Sequence, residues 1–409
     1  MNKPELLAPA GDLQKLKTAF LYGADAVYAG GEEFSMRTAC DNFSDEDLKR
    51  GIEIAHSLGK KIYIAVNVIM RNRDLDPLYH FVRRLKSYGA DAVILSDPGA
   101  MSIVREAAPD LDIHISTQAN IVNSRSANVW YSMGAKRVVL ARELCREEVC
   151  QIRKATPPGL ELELFVHGAM CISYSGRCLL SNYMTGRDSN KGDCAQSCRW
   201  NYRLVEEKRP GEYYPVTENE RGSFIFNSKD MCMIKYIPEI VESGVTSLKI
   251  EGRVKSEYYV ATVTKAYREA IDKYLENPEK YTLDPKTEAE LCKVSHRHYS
   301  GGFWHNDCEK NGQIYETSSY IRDYDVVGTV KSCDSDGNAV IHQRNKFSAG
   351  EEIEILRPKG EFLTLTISEM KNADGEIIQS APHAEMEVRL KLPEYVPENS
   401  MLRRKRKTL

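Results

Sequence analysis

Tyr22-Gly-Ala-Asp-Ala-Val-Tyr-Ala-Gly-Gly31 returns in this chain as Tyr88-Gly-Ala-Asp-Ala-Val-Ile-Leu-Ser-Asp97. Looser copies follow at Met133-Gly-Ala-Lys-Arg-Val-Val-Leu-Ala-Arg142 and Ser243-Gly-Val-Thr-Ser-Leu-Lys-Ile-Glu-Gly252. Each copy has the same physical content. A helix ends at a glycine able to take the left-handed conformation, and a tight turn leads into a short apolar strand that stops at polar or glycine residues. Helix, turn and buried strand in repetition are the mark of parallel β/α units. Working outward from the repeats, strands are expected at Glu5–Pro9, Ala26–Ala29, Lys61–Asn67, Ala92–Ser96, Asp112–Thr117, Arg137–Leu140, Glu161–Val166 and Ser247–Ile250. Amphipathic stretches at Leu13–Tyr22, Asp45–Ser57, Pro77–Tyr88 and Glu143–Ala155 separate many of them. Eight parallel strands in about 250 residues fit a closed (β/α)8, TIM-like barrel better than an open sheet.

On this reading residues 1–285 form the barrel domain, with residues 171–229 inserted after the seventh strand. Tyr258–Tyr274 is a further helix able to close the barrel. Residues 286–311 read as a linker rich in His, Tyr and Gly. From about Gly312 the pattern changes to short alternating strands, such as Asp325–Thr329 and Asn338–Gln343, with Asp334-Ser-Asp-Gly337 as a turn. A small all-β barrel or sandwich is expected over 312–400, and 401–409 reads as a solvated basic tail.

Composition narrows the function classes. Across 409 residues, 56 Lys and Arg balance 59 Asp and Glu for a net charge of −3, so bulk positive charge does not hold a polyanion here. With 42% hydrophobic and 28% charged residues, the chain can bury a full core. The amino terminus has no apolar signal region and no run is long enough to span a membrane, so a cytoplasmic protein is expected. No Gly-x-Gly-x-x-Gly follows the first strand, and neither a Gly-x-Ser-x-Gly elbow nor a His-Glu-x-x-His pair occurs.

In such a barrel the residues just past the strands' carboxyl ends face the active site. His167, Arg142, Glu251 and Arg253 are the candidate catalytic residues there, with Arg37, Asn67, Gln118 and Lys255 as candidate substrate contacts. Arginine forks suit carboxylates and phosphates. A plainer reading has Arg142 merely neutralising Glu143 or Glu251 at the rim. His167 is a candidate general base, metal ligand or structural imidazole.

Eleven cysteines would stay reduced in the cytoplasm. Cys171, Cys178, Cys194 and Cys198 fall within 28 residues, and Cys232 follows in a polar motif in which Ser228 or Asp230 is expected to cap a helix. Clustered cytoplasmic cysteines point to a metal, and thiolates gathered from a long loop suit an iron–sulfur cluster at least as well as zinc. Cys171, Cys178, Cys194 and Cys232 are the expected ligands, with Cys198 as alternate.

Glu5-Leu-Leu-Ala-Pro-Ala-Gly-Asp12, Phe165-Val-His-Gly-Ala-Met-Cys171, Ser175-Gly-Arg-Cys178 and Ser247-Leu-Lys-Ile-Glu-Gly-Arg-Val-Lys-Ser256 together resemble the peptidase U32 family, the collagenase-like proteases. The likeness spans nearly the whole chain and includes a carboxyl-terminal domain similar to the second domain of elongation factor Tu. It is strongest with the bacterial branch that makes 5-hydroxyuridine at the tRNA wobble position in a prephenate-dependent reaction. The resemblance implies a [4Fe-4S] cluster on Cys171, Cys178, Cys194 and Cys232, although some branches use a cysteine near Cys198 and one a position near Cys40. It implies tRNA and a small dicarboxylate such as prephenate as partners, and a shorter paralogous subunit as another. Two other readings compete with the RNA hydroxylase: a peptidase acting on denatured collagen, and a non-catalytic subunit of a two-protein complex.

Overall fold

A computed structural model describes residues 3–35, 42–171, 178–187, 189, 193–200, 204–205, 213–214, 218–219, 222–223, 228–305 and 320–406. The expected barrel is present. Its strands are β1 (Glu5–Pro9), β2 (Ala26–Gly30), β3 (Lys61–Ala65), β4 (Ala92–Leu95), β5 (Asp112–Ile115), β6 (Arg137–Val139), β7 (Glu161–Ala169) and β9 (Ser247–Ile250). They pair in parallel around a closed ring, and β9 joins β7 to β1. An additional strand, β8 (Asp230–Cys232), pairs antiparallel with the outer part of β7.

Local chemistry explains the repeat. Gly23, Gly89, Gly134 and Gly244 all have positive φ, between 80° and 107°, where a side chain would be strained. Each ends its helix and turns the chain into β2, β4, β6 or β9. The strands that follow are buried along their whole length because the helices cover the outer face of the barrel; all five residues of β2 are buried. Helix α2 (Asp45–Ser57) shows the complementary pattern. The Ser44 hydroxyl caps it by accepting the Asp47 N–H, and Leu48, Gly51, Ile52 and Ala55 form one buried stripe. The helix expected from Pro77 begins at Asn72, because Asp74 accepts the Arg71 N–H and starts it a turn earlier.

The barrel interior carries charge at its amino-terminal end. Arg137, 4% exposed, contacts Glu5 at 2.6 Å, Glu163 at 3.0 Å and Glu161 at 2.7 Å. Lys249 reaches Glu163 at 2.8 Å, Ser247 donates to both Glu5 and Glu163, and Tyr63 donates to Glu5. Burial alone would raise the Glu163 carboxyl, but Lys249 and Arg137 outweigh it and hold the group below the usual range.

Beyond the barrel, α9 (Glu257–Glu276) packs along α1 (Leu13–Leu21), and α10 (Pro285–Leu291) packs on α9. The stretch read as a linker is structured where it is described. It contains α10 and β10 (Tyr299–Ser300), and β10 pairs in parallel with β8. The small domain is antiparallel. Its strands β11 (Tyr324–Cys333), β12 (Asn338–Gln343), β13 (Glu352–Leu356), β14 (Leu363–Thr366), β15 (Glu387–Lys391) and β16 (Met401–Lys405) pair in the order β14-β13-β16-β11-β12-β15. Two shorter strands extend the sheet past β15.

The basic tail is therefore corrected over 401–405. Those residues are an inner strand between β11 and β13. The reason lies in Arg403, which is fully buried and paired with Glu290 and Glu354 at 2.7 Å, so its charge is matched inside the fold. The same contact joins the two domains. Tyr22 of the barrel donates to the carbonyls of Leu356 and Asn399, and Lys265 donates to those of Arg357 and Gly360.

Candidate active site at the barrel mouth

The carboxyl ends of the strands bring part of the expected set together. Arg142 follows β6. Its guanidinium donates to the Ala169 carbonyl at 2.7 Å, lies 3.9 Å above the Phe165 ring and meets Glu251 at 3.7 Å. Glu251, Arg253 and Lys255 all come from the turn after β9, so one loop delivers an acid and two cations. Arg253 is 5% exposed and donates to Ser35 at 2.7 Å. That packing explains Gly30: a Cβ there would run into both the Arg253 guanidinium and the Ser35 hydroxyl. Lys255 donates to the Ser295 carbonyl at 3.4 Å and stands over the rings of Tyr320 and Tyr259.

Gln118 and Asn67 stand across the ring of strands. Gln118 is buried in the turn after β5, where it accepts from Ser116 at 3.3 Å, and Asn67 lies just past β3. Arg37 and Cys40 fall outside the described residues.

His167 is enclosed by tyrosines. The rings of Tyr259, Tyr267 and Tyr299 lie 5.3–5.9 Å from its own. Tyr267 donates to the Val166 carbonyl at 2.7 Å and Tyr299 to the Leu291 carbonyl at 2.9 Å, and both hydroxyls also approach the imidazole nitrogens. Burial, reinforced by the nearby His296 and Lys255, lowers its pKa to about 3. An imidazole so shifted is neutral and takes up a proton poorly near pH 7.

The polar motif around Cys232 needs a correction. Ser228 and Asp230 cap no helix, because the segment is strand β8 and α8 (Ile237–Glu242) begins only after a further turn. Asp230 instead binds the backbone N–H of Arg297 at 3.0 Å and pairs with its guanidinium, while Ser228 offers that guanidinium its carbonyl. Without a helix dipole behind it, the Cys232 thiol is pushed up to about 12 by burial.

Cys171 and Cys194 are exposed, whereas Cys178, Cys198 and Cys232 are half-buried. The Cys194 sulfur accepts the Gln196 N–H at 3.4 Å. Register separates two of the expected ligands. Cys232 lies opposite His167, four residues before Cys171, a span of about 13 Å along extended chain. Among the described residues, no three His, Cys, Asp or Glu side chains converge on one metal position. As arranged, the five cysteines do not converge on a closed cluster site.

Sequence reasoning overlooked Ser35, Asp230, His296, Arg297 and Tyr299 as contributors to the mouth. The His-and-Tyr richness of the supposed linker was the available signal.

Comparison with known proteins adds the family. The pattern described as Peptidase family U32 matches residues 11–314, and that of the Peptidase family U32 C-terminal domain matches residues 322–403. The chain is 40% identical to "tRNA hydroxylation protein P1" of Bacillus subtilis (strain 168), over 98% of this chain and 95% of that one. It is 35% identical to "tRNA hydroxylation protein P2" of the same organism, over 69% and 90% respectively. A third relative, "23S rRNA 5-hydroxycytidine C2501 synthase" of Escherichia coli (strain K12), is 35% identical over 67% of this chain and 40% of its own length. Among the described residues, no helix is long and apolar enough to cross a membrane.

Proposed function

The chain belongs to peptidase family U32, and from that premise we propose that it is a cytoplasmic RNA-modifying enzyme that hydroxylates the wobble uridine of tRNA to 5-hydroxyuridine. The observation that carries this reading is the near end-to-end similarity to a tRNA hydroxylation protein, across both domains. Similarity to an rRNA hydroxycytidine synthase supports the reaction class.

The mouth supports a division of labour. Arg142, Arg253 and Lys255 form the cationic side and suit a small dicarboxylate, for which we propose prephenate. Glu251 orients Arg142, and Gln118 and Asn67 supply neutral polar contacts across the ring. Arg37 is retained as a further anion contact. We assign His167 a positioning role, because a neutral imidazole locked among tyrosines shapes the wall more readily than it moves protons.

We further propose a [4Fe-4S] cluster held by Cys171, Cys178, Cys194 and Cys232, with zinc as the lesser alternative. Four thiols of soft-metal character at one end of the barrel support it. Such a cluster would supply electrons when bound. Anaerobically purified protein is expected to be brown with stoichiometric iron and sulfide, and colourless protein with bound zinc would overturn this part. The similarity to both P1 and P2 proteins supports a shorter paralogous chain as a partner.

Nucleoside analysis of tRNA from a deletion strain tests the main reading. Loss of 5-hydroxyuridine-type nucleosides is expected, restored by the wild-type chain and not by Cys171→Ala. Unchanged nucleosides together with robust gelatin cleavage would overturn it in favour of a peptidase.

A further inference from the structure

The segment that links the two domains contributes a side chain to the mouth that is incomplete as it stands. His296 is 5% exposed. Its backbone exchanges both hydrogen bonds with Ile321, at 3.1 and 2.7 Å. Its Nδ1 lies 2.6 Å from the Arg297 carbonyl, which can only accept, so Nδ1 carries the proton. The ring stacks on Tyr299 with centroids 4.4 Å apart and planes 8° from parallel. Every polar atom of the residue is thus committed except Nε2, which in the neutral ring is an acceptor, is buried and meets no donor among the described residues.

Buried polar atoms are nearly always partnered, and one that is not asks for an explanation. Here it is held with unusual care, since backbone, Nδ1 and ring face all fix the direction of the lone pair. A cation stands beside it: Lys255 is anchored on the carbonyl of Ser295, the preceding residue. The two groups complement one another. An ammonium favours an anion, and an imidazole acceptor favours O–H or N–H.

We propose that His296 and Lys255 form a binding subsite for a small hydroxy-acid, with a carboxylate on the Lys255 ammonium and a hydroxyl donating to His296 Nε2. The inference rests on the prephenate reading above, because prephenate carries both carboxylates and a ring hydroxyl. It adds which residue reads the hydroxyl, and it places that residue outside the eight barrel strands. A dicarboxylate lacking the hydroxyl would leave Nε2 unpaired and would bind less well.

The test is calorimetric titration of the full-length chain with prephenate and, separately, with inorganic phosphate. In His296→Phe the aromatic stack on Tyr299 is kept while the acceptor is lost. Prephenate binding is expected to weaken about tenfold in His296→Phe and at least as much in Lys255→Ala. Ligand-free His296→Phe also loses the Nδ1–H bond to the Arg297 carbonyl, so only a small drop in unfolding temperature is expected, no larger than one hydrogen bond accounts for. Equal prephenate binding by wild type and His296→Phe would overturn the subsite and leave the parent reading intact. A drop in stability well beyond that one bond would mean that Nε2 holds a structural water, and would also overturn it. Phosphate binding that depends on Lys255 while prephenate binding ignores His296 would reduce the site to a bare anion contact. Failure of the wild type to bind prephenate at all would remove the parent reading's co-substrate, and this subsite with it.

Discussion

At the amino-terminal end of the barrel Arg137 touches three carboxylates, and Lys249 shares one of them. At the carboxyl end Arg142 meets a single carboxylate at 3.7 Å and His296 keeps an acceptor without a donor. Both ends are made of Arg, Lys, Glu, His and Tyr. The difference is the pairing of charge, since each end also holds one buried imidazole nitrogen without a partner, on His114 below and His296 above. The lower cluster is buried and its charges are closely matched, so it acts as a plug. The upper cluster has capacity left for something that is not part of the chain. Residue type alone does not separate a structural ion network from a binding site; how closely each cation is matched by carboxylates does.

Three substitutions would break that contrast, with successively smaller effects on stability. Arg137→Ala leaves Glu5, Glu161 and Glu163 facing one another in the barrel and is expected to cost about 3–5 kcal/mol, read as a large drop in unfolding temperature or in soluble yield. Catalysis per folded molecule should be unchanged. Retained stability would show that the plug is not load-sharing.

The next effect depends on pH. Burial, and then Arg137 and Lys249, lower His114 well below its ordinary value. A histidine depressed in the folded state contributes stability above its unfolded value near 6.5, and that contribution is lost as the pH falls below it. His114→Phe should therefore flatten the fall in unfolding temperature between pH 7 and pH 5, a difference of up to about 2 kcal/mol. Parallel curves for the two proteins would argue against a neutral, closed interior.

The smallest effect on stability should come from Gly30→Ala at the mouth. The added methyl displaces Arg253 and Ser35 at about 1 kcal/mol. Modified-nucleoside formation should nevertheless fall about tenfold, because Arg253 loses its aim. A variant that is as active as wild type would remove Arg253 from the site.

The barrel was legible because its signals are local. Gly23, Gly89, Gly134 and Gly244 each mark a helix end within a few residues of the strand it feeds. Arg142, Glu251, Arg253 and Lys255 were legible as strand-end residues for the same reason. The strap was not. β8 and β10 are three and two residues long and find each other across more than sixty positions, so no periodicity announces them. Lys249 and Glu163 each look like an interruption in an apolar strand until the ring closes and sets them 2.8 Å apart. Arg403 misled in the opposite direction. A run of basic residues is usually solvated, and only Glu290 and Glu354, distant in sequence, turn this one inward.

The clasp between the domains has a consequence for any large substrate. Tyr22, Lys265, Glu290 and Arg403 tie the β-domain to the barrel through both its sheet and its loops. With the two bodies fastened this way, the distance from the β-domain surface to the barrel mouth is set before anything binds. On the proposed function, a folded RNA resting on one and reaching into the other would be measured against a fixed gauge. A nucleotide would then be selected by how far it stands from the rest of its molecule, as well as by which base it carries.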